Sequence, residues 1–477
     1  MDPSLAAALA VLSLLSLLGA RVPVFLCLLA SGSLGLWLID GMHVLQAALG
    51  RLPYSTVASF TLIVIPMFVA MGVFAKNANI AEHAFSAATK LLGWLPGGLA
   101  LSALAACALF AAVSGSSAAT VVTVGRVSMD EMRRHGYRDT FSAGVVGVAG
   151  TLGILIPPSL VLVLYGIVTG ESIGQLLLAG VIPGLFSAAM YGVFIVARAL
   201  RTPELVGRPP RQPAMNQASA RNEPGGTALG SAGQHTTATA HAAPVGFSLR
   251  LTAVEWWGVF QVALLFGAVM GGIYLGWYTS TESAAVGALL AFLFLLFRIG
   301  TDKVRLNASA WRSMRASLRE TAELTAMVFG LLIGGAVFSL FLTSARIPQD
   351  LTTWITSQGL PDIGILLLVI LMFLILGMFI DSLSMLLIAV PIAYPVITEL
   401  GYDGVWFAIL VVKTMEIGLI TPPVGINAFV LAGTVKGLTV ERAFKGVLGF
   451  LPADLVTLAL LIAFPAISLW LPGQAGS

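Results

Sequence analysis

Apolar runs close to the ~20 residues that span a lipid bilayer follow one another along almost the whole of this chain. They fall at about residues 5–20, 22–39, 57–75, 97–128, 140–169 and 175–198, and again at 253–277, 283–298, 321–343, 363–398, 404–435 and 446–471. Only 10% of the 477 residues are charged and 58% are hydrophobic, against roughly 25% charged in soluble domains. The sequence is therefore that of an all-α polytopic membrane protein. The first run, Leu5 to Ala20, follows an N-terminus whose only charge is Asp2, and a second run succeeds it at once. Lacking a basic leader, it reads as the first transmembrane helix rather than a signal peptide. Cys27 and Cys107 lie far apart inside apolar runs and read as buried thiols. The five histidines are scattered, and no Cys-x-x-Cys pair or Walker-type glycine loop is present. A metal-centred machine, an ATP-driven one and an intramembrane enzyme have no visible parts, and no nucleic-acid partner is expected.

Residues 201–250 divide the runs into two sets. This stretch is rich in Pro, Gly, Ala, Ser and Thr, a composition that cannot build a core and reads as a disordered linker between a first unit, 1–200, and a second, 251–477. The two units match. With Gly153 laid on Gly418, Pro157-Pro158 falls on Pro422-Pro423, and SGSSAAT (Ser114 to Thr120) falls on FIDSLSM (Phe379 to Met385). Ser116 and Ser117 then stand opposite Asp381 and Ser382. A shift of two residues lays FAKNANIAEHA, from Phe74, over FLTSARIPQDL, from Phe341. Three features in the same order indicate an internal duplication.

Charge sets the orientation of the halves. The fourth run of each half has a polar centre, Ser114–Ser117 and Asp381–Ser384, and is read as a re-entrant hairpin. Each half then crosses the bilayer five times, so the second is inverted relative to the first. With the N-terminus outside, all but Arg51, Arg346 and Lys413 of the 25 basic residues fall on the inner face, as the positive-inside rule requires. Were both hairpins pairs of full crossings, the Lys76–Lys90 and Arg126–Arg138 clusters would lie on opposite faces. Both termini are expected outside and the linker inside. Residues 79–92 and 347–358 are amphipathic and are expected to lie in the interface as braces.

The fifth run of each half is interrupted near its middle, by GTLGILIPPS (Gly150 to Ser159) and IGLITPPVG (Ile417 to Gly425). Proline removes a backbone donor and clashes with the preceding turn, and glycine lowers helix propensity. The carbonyls and amides so released cannot face lipid and must line a buried polar cavity. Unwound carbonyls and half-helix C-termini suit a hard cation such as Na⁺, whereas half-helix N-termini suit an anion. Asp381 is the one acid at a hairpin tip, and an intramembrane carboxylate is a functional candidate by default; cation binding and helix capping both fit it. Lys413 and Glu416, spaced i,i+3, are expected to form a structural ion pair. Thr281 and Glu282 suit a helix start.

The segments SGSSAATVVTVG, GVAGTLGILIPPSLVLVLYGIVTGESIGQLLLAGVIPGL, TSTESAAVGA, MFIDSLSMLLIAVPIAYPV and IGLITPPVGINAFV strongly resemble the large, DctM-type membrane subunit of TRAP (tripartite ATP-independent periplasmic) transporters. The resemblance covers nearly the whole chain except 201–250. It implies an elevator-type secondary transporter of a bacterial inner membrane, with both termini periplasmic, that imports an organic acid on a Na⁺ gradient. A periplasmic substrate-binding protein and a small four-helix membrane subunit are the implied partners. Carried over residue by residue, one Na⁺ site would use Ser114, Ser116, Ser117, Gly150, Thr151, Gly153 and Pro157. The other would use Asp381, Ser382, Gly418, Thr421, Pro422 and Gly425. Substrate would contact Ser117, Thr120, Ser384 and Asn427. The long linker departs from the family, and the chain has no N-terminal four-helix extension, so the small subunit is expected as a separate polypeptide. No basic residue stands at the hairpin tips to clamp a second carboxylate. A stand-alone Na⁺/carboxylate carrier or a cation/proton antiporter is the alternative.

Overall fold

The computed structural model describes residues 3–207, 252–301, 308–357 and 359–475. Every regular element among them is helical, since a helix pairs its backbone polar groups within itself where lipid offers none. Among the described residues eight helical segments are long and apolar enough to cross a membrane, or nine if Val440–Leu448 and Leu451–Ala463, bent by 42°, form one span. Large apolar side chains such as Leu12, Leu185, Val193 and Leu289 are exposed, a surface suited to lipid.

The same succession of elements appears on either side of the linker. In the first half Val64–Asn77 and Ile80–Leu92 precede two helices joined by a two-residue turn, Gly98–Ser114 and Ser117–Arg134. An interrupted helix follows, Asp139–Leu155 with Leu160–Thr169, and then Ile173–Arg201. In the second half the corresponding elements are Ala308–Ser344, Ile347–Ser357, the pair Asp362–Gly377 and Ser382–Glu399, the interrupted Gly404–Ile420 with Ile426–Thr434, and the bent 440–463 unit.

The halves interlock. Val24–Val57, kinked where Gly41 adopts φ +83°, packs along Ala308–Ser344, and Val64–Asn77 packs along Ser280–Thr301. Small residues make the first crossing possible. A Cβ on Gly32 would lie 2.8 Å from the Phe338 backbone, and one on Gly334 would lie 2.5 Å from the Phe25 carbonyl oxygen. Nearer the centre, Ser117–Arg134 packs on Ile426–Thr434 while Ser382–Glu399 packs on Leu160–Thr169. Each hairpin thus leans on the interrupted helix of the other half.

Helix Ile80–Leu92 buries Ile80, Ala81, Ala84, Phe85, Ala87 and Ala88 against Gly98–Ser114 and Ala253–Phe266. Its polar side bonds the second half: Lys90 pairs with Glu255 at 2.7 Å, and the Ser86 hydroxyl donates to Glu255 at 2.7 Å. Glu255 in turn completes a capping box with Thr252. Glu282 caps the start of Ser280–Thr301 by accepting from the Thr279 amide at 2.8 Å.

Several boundaries differ from those expected. The run read as 22–39 continues past the kink at Gly41 to Val57. The run read as 446–471 is three helices, Val440–Leu448, Leu451–Ala463 and Ala466–Ala475, because Pro452 and Pro465 sit where each new helix starts and supply no amide to the turn before. The helix expected from 321 begins at Ala308; its polar turns consist largely of good helix formers and include the Arg319–Glu323 pair at 2.6 Å. The stretch assigned to a disordered linker is ordered over its first residues: Leu205 and Val206 are buried, and the Arg138 amide donates to the Leu205 carbonyl at 3.0 Å. Residues 208–250 lie outside the described residues.

Gly32→Leu is expected to destabilise the chain by about 1–3 kcal/mol or more through overpacking against a backbone that cannot yield. Gly50→Ala in the same helix, where an added Cβ meets nothing within 4 Å, should be neutral or slightly stabilising. Thermal unfolding of the two variants in detergent checks both.

Candidate functional site

Four loops converge at the centre of the protein: two hairpin tips and two helix breaks. At the first tip Gly115 adopts φ +59°, a left-handed conformation that glycine takes without strain. A Cβ there would also lie 2.5 Å from the Pro158 carbonyl oxygen, so tip and break touch backbone to backbone. Ser116 caps the second arm by accepting from the Ala119 amide at 3.4 Å. Thr120 donates to the Ser116 carbonyl at 2.8 Å and accepts from the Ser114 hydroxyl at 3.1 Å. At the second tip Asp381 is the cap. Its Oδ2 accepts from the Ser384 amide at 3.2 Å and its Oδ1 from the Ser384 hydroxyl at 2.5 Å.

Both breaks follow from proline chemistry. Pro157 and Pro158 withhold the amides that would pair with the carbonyls of Gly153 and Ile154 four residues earlier, and Pro422 and Pro423 do the same to Gly418 and Leu419. Two of these carbonyls find substitutes: Ile154 accepts from the Ser159 hydroxyl at 2.5 Å, and Gly418 accepts from the Thr421 amide at 3.1 Å. Gly153 and Leu419 keep main-chain oxygens without their helical donors. Both Pro-Pro bonds are cis. Ser159 restarts the first helix as its cap, and Gly425, at φ +49°, opens the second.

Each tip sits on the break of its own half. A Cβ on Gly153 would lie 2.8 Å from the Ser116 carbonyl group, and one on Gly418 would lie 2.6 Å from the Gly377 backbone. The Val424 amide donates to the Met378 carbonyl at 3.2 Å. Asn427, fully buried, joins the halves: its Oδ1 accepts from the Ser117 hydroxyl at 3.0 Å, and its Nδ2 donates to the Gly147 carbonyl at 3.1 Å.

A cleft opens between the tips, lined by Ser116, Ser117, Asp381, Ser382, Asn427 and the apolar Ile154 and Leu419, among others. Hydroxyls, an amide, a carboxylate and the N-termini of Ser117–Arg134 and Ser382–Glu399 therefore face one space. That space can offer oxygens to a cation and dipole-aligned amides to an anion.

The other sequence-selected residues support the cleft without lining it. Ser114 and Thr120 brace the first tip, and Ser384 braces the second. Gly150 lies under Val121 and Pro157 against Gly180. Thr151 is buried with its hydroxyl bonded to the Val148 carbonyl at 2.7 Å, and Thr421 bonds the Ile417 carbonyl at 2.6 Å. Pro422 shapes the second break, and Gly425 lies under the Phe444 ring. Lys76 was not anticipated. A second space shares Gly115, Ser116, Leu160 and Leu383 with the cleft and runs to Lys76, which pairs with Glu320 at 2.7 Å. Only the fold brings residue 76 within reach of the first tip, so no spacing could have revealed it.

A family model described as the DctM component of the tripartite ATP-independent periplasmic transporter matches residues 11–467. The C4-dicarboxylate TRAP transporter large permease protein DctM of Pseudomonas aeruginosa is 36% identical, covering 89% of this chain and 88% of that protein. The sialic acid TRAP transporter large permease protein SiaM of Vibrio cholerae is 32% identical over 87% and 86%. The ectoine TRAP transporter large permease protein TeaC of Halomonas elongata is 30% identical over 97% of each. Among solved structures the YdaH transporter of Alcanivorax borkumensis superposes with a TM-score of 0.58 at 13% identity, over 90% of this chain and 89% of that one, a likeness of fold alone.

Gly153→Val is expected to force the first tip off its break, lowering stability by about 1–3 kcal/mol. Gly433→Ala, where an added Cβ meets nothing within 4 Å, serves as the control. The difference in melting temperature between the variants checks the contact.

Proposed function

Because this chain belongs to the DctM component family of tripartite ATP-independent periplasmic transporters, we propose that it is the large membrane subunit of a Na⁺-coupled importer of an organic acid. The observation that carries this reading is the convergence of both tips and both breaks on one cleft. Carbonyls freed by the prolines, together with the Asp381 carboxylate and the serine hydroxyls, form a ligand set suited to Na⁺, a hard cation. Two helix N-termini in the same space favour a carboxylate. Cation and anion each lower the cost of bringing the other into a low-dielectric site, which is the physical basis of symport. Relatives named for C4-dicarboxylate and sialic acid transport agree with an acid as cargo.

In this reading the hairpins and interrupted helices move together, elevator-fashion, against the frame formed by Val24–Val57, Val64–Asn77, Ser280–Thr301 and Ala308–Ser344. The two halves are inverted repeats in the inner membrane of a bacterium, with termini periplasmic and linker cytoplasmic. A small membrane subunit covers the frame, and a periplasmic binding protein delivers the acid. The chain is not an enzyme.

Proteoliposomes holding this chain and a small subunit test the proposal. Uptake of a labelled C4-dicarboxylate is expected only with an inward Na⁺ gradient and an added periplasmic binding protein. Robust uptake by this chain alone, as a stand-alone carrier would give, or equal uptake on a K⁺ gradient, overturns it. Asp381→Ser retains a capping acceptor but removes the charge. It should raise the Na⁺ concentration for half-maximal uptake by about tenfold, the worth of one charge-assisted ligand. An unchanged Na⁺ response removes Asp381 from the ion site.

A further inference from the structure

The two spaces that meet at the first hairpin tip have different walls. The cleft lies between the tips, whereas the second space lies between the first tip and two frame helices, Val64–Asn77 and Ala308–Ser344. Frame and tip touch closely: a Cβ on Gly72 would lie 2.8 Å from the Ser114 carbonyl oxygen. Lys76 follows Gly72 by four residues, so it shares that helix face and lies about 6 Å further along the axis. Val69, Gly72, Val73 and Lys76 form one stripe along the frame wall, and Glu320, Leu324 and Met327 form another. Both stripes are apolar except at the end where Lys76 meets Glu320 at 2.7 Å.

As a brace this ion pair has little to do. Its side chains are 34% and 37% exposed, and a pair so open to solvent contributes little to stability. Packing already holds the two helices together. Nor is the ammonium used up. It carries three protons, and Glu320 takes one; no other acceptor bonds it among the described residues. Lys76 is also the one basic side chain among the described residues that line either space. Gly115, Ser116, Leu160 and Leu383 belong to both spaces, so a molecule seated in the cleft beside the first tip borders the gap directly. The tips carry no cation to clamp a second carboxylate, but the fold brings one to them from the frame.

We propose that Lys76 is a specificity-determining residue for a second carboxylate: a dicarboxylic acid held in the cleft by one carboxylate extends the other past Ser116 to the free protons of Lys76. The inference names the substrate class of the cleft and rests on its reading as the organic-acid site. Charge-assisted N–H donors reward a carboxylate at this end and offer a methyl group nothing. Glu320 shares the ammonium, which weakens the contact and keeps it releasable. Because Lys76 stands on the frame and Ser116 on a hairpin, the acid spans both bodies in this arrangement and leaves Lys76 when the tip moves away.

Calorimetric titration of the purified full chain in lipid nanodiscs tests this, in Na⁺ buffer with neither a gradient nor a binding protein. The probes are succinate and butyrate, which has the same carbon chain with a methyl group in place of one carboxylate. Succinate should bind about tenfold more tightly than butyrate, the worth of one charge-assisted contact. Lys76→Gln should weaken succinate about tenfold and leave butyrate unchanged, whereas Lys76→Arg should keep the preference. Glu320→Gln releases the ammonium and should tighten succinate about threefold. A pair that only braced the frame would give another pattern, with Lys76→Gln and Glu320→Gln weakening both acids alike. That pattern overturns the proposal, as does succinate binding that Lys76→Gln leaves unchanged. A wild type that binds neither acid, or both equally, overturns the dicarboxylate assignment. None of these results depends on Na⁺ coupling, which the uptake assay reads separately.

Discussion

A peptide group placed where no water can reach must find its partner in the protein, and this single constraint organises the molecule. It explains why the described residues fold as helices, and also why the two places where helices fail are crowded rather than open. At the first break the Ser159 hydroxyl takes up a carbonyl that Pro158 orphaned; at the second, the Thr421 amide takes up one orphaned by Pro422. The two residues whose carbonyls are left over sit beside the tips, Gly153 against the Ser116 backbone and Leu419 on the wall of the cleft. Polarity in the centre of this protein is thus a by-product of backbone chemistry, concentrated by four prolines and shaped by the serines and the aspartate that cap the neighbouring helices.

The tips reach the breaks only because glycine removes the side chains between them. Gly153 beneath Ser116 and Gly418 beneath Gly377 bring main chain against main chain, and the same device recurs in the frame, where Gly32 and Gly334 draw Val24–Val57 onto Ala308–Ser344. Close approach does two jobs here. In the frame it replaces the hydrophobic driving force that lipid cannot supply between helices. In the centre it holds main-chain oxygens and helix N-termini within one small space.

Much of this was legible in the sequence, for reasons that differ from residue to residue. Pro-Pro pairs within apolar runs mark breaks because two successive amides are missing, and polar tips mark turns because serine and aspartate cap helices. Single prolines were less informative. Pro183, Pro391 and Pro395 lie inside continuous helices, whereas Pro452 and Pro465 stand at helix starts, and no local pattern separates the two cases. The Lys413–Glu416 pair was readable from its spacing; Asp454 and Tyr191, which also bond Lys413, were not, since they arrive from other helices. The same holds for Lys76. Of the residues chosen for the site, Ser116, Ser117, Asp381, Ser382 and Asn427 line the cleft, while Ser114, Thr120, Ser384, Thr151, Gly150 and Gly425 lie behind it, because spacing along a helix does not say which flank a side chain takes once three neighbours pack around it.

The bond between Ser117 and Asn427 has no mate. In the alignment of the halves Asn427 falls on Leu162, which packs over Gly180, and no described hydrogen bond holds Ser382 as Asn427 holds Ser117. One hairpin is therefore bonded to the opposite half at its tip, whereas its twin makes its side-chain bond across the halves far down its second arm, from Tyr394 to Glu171.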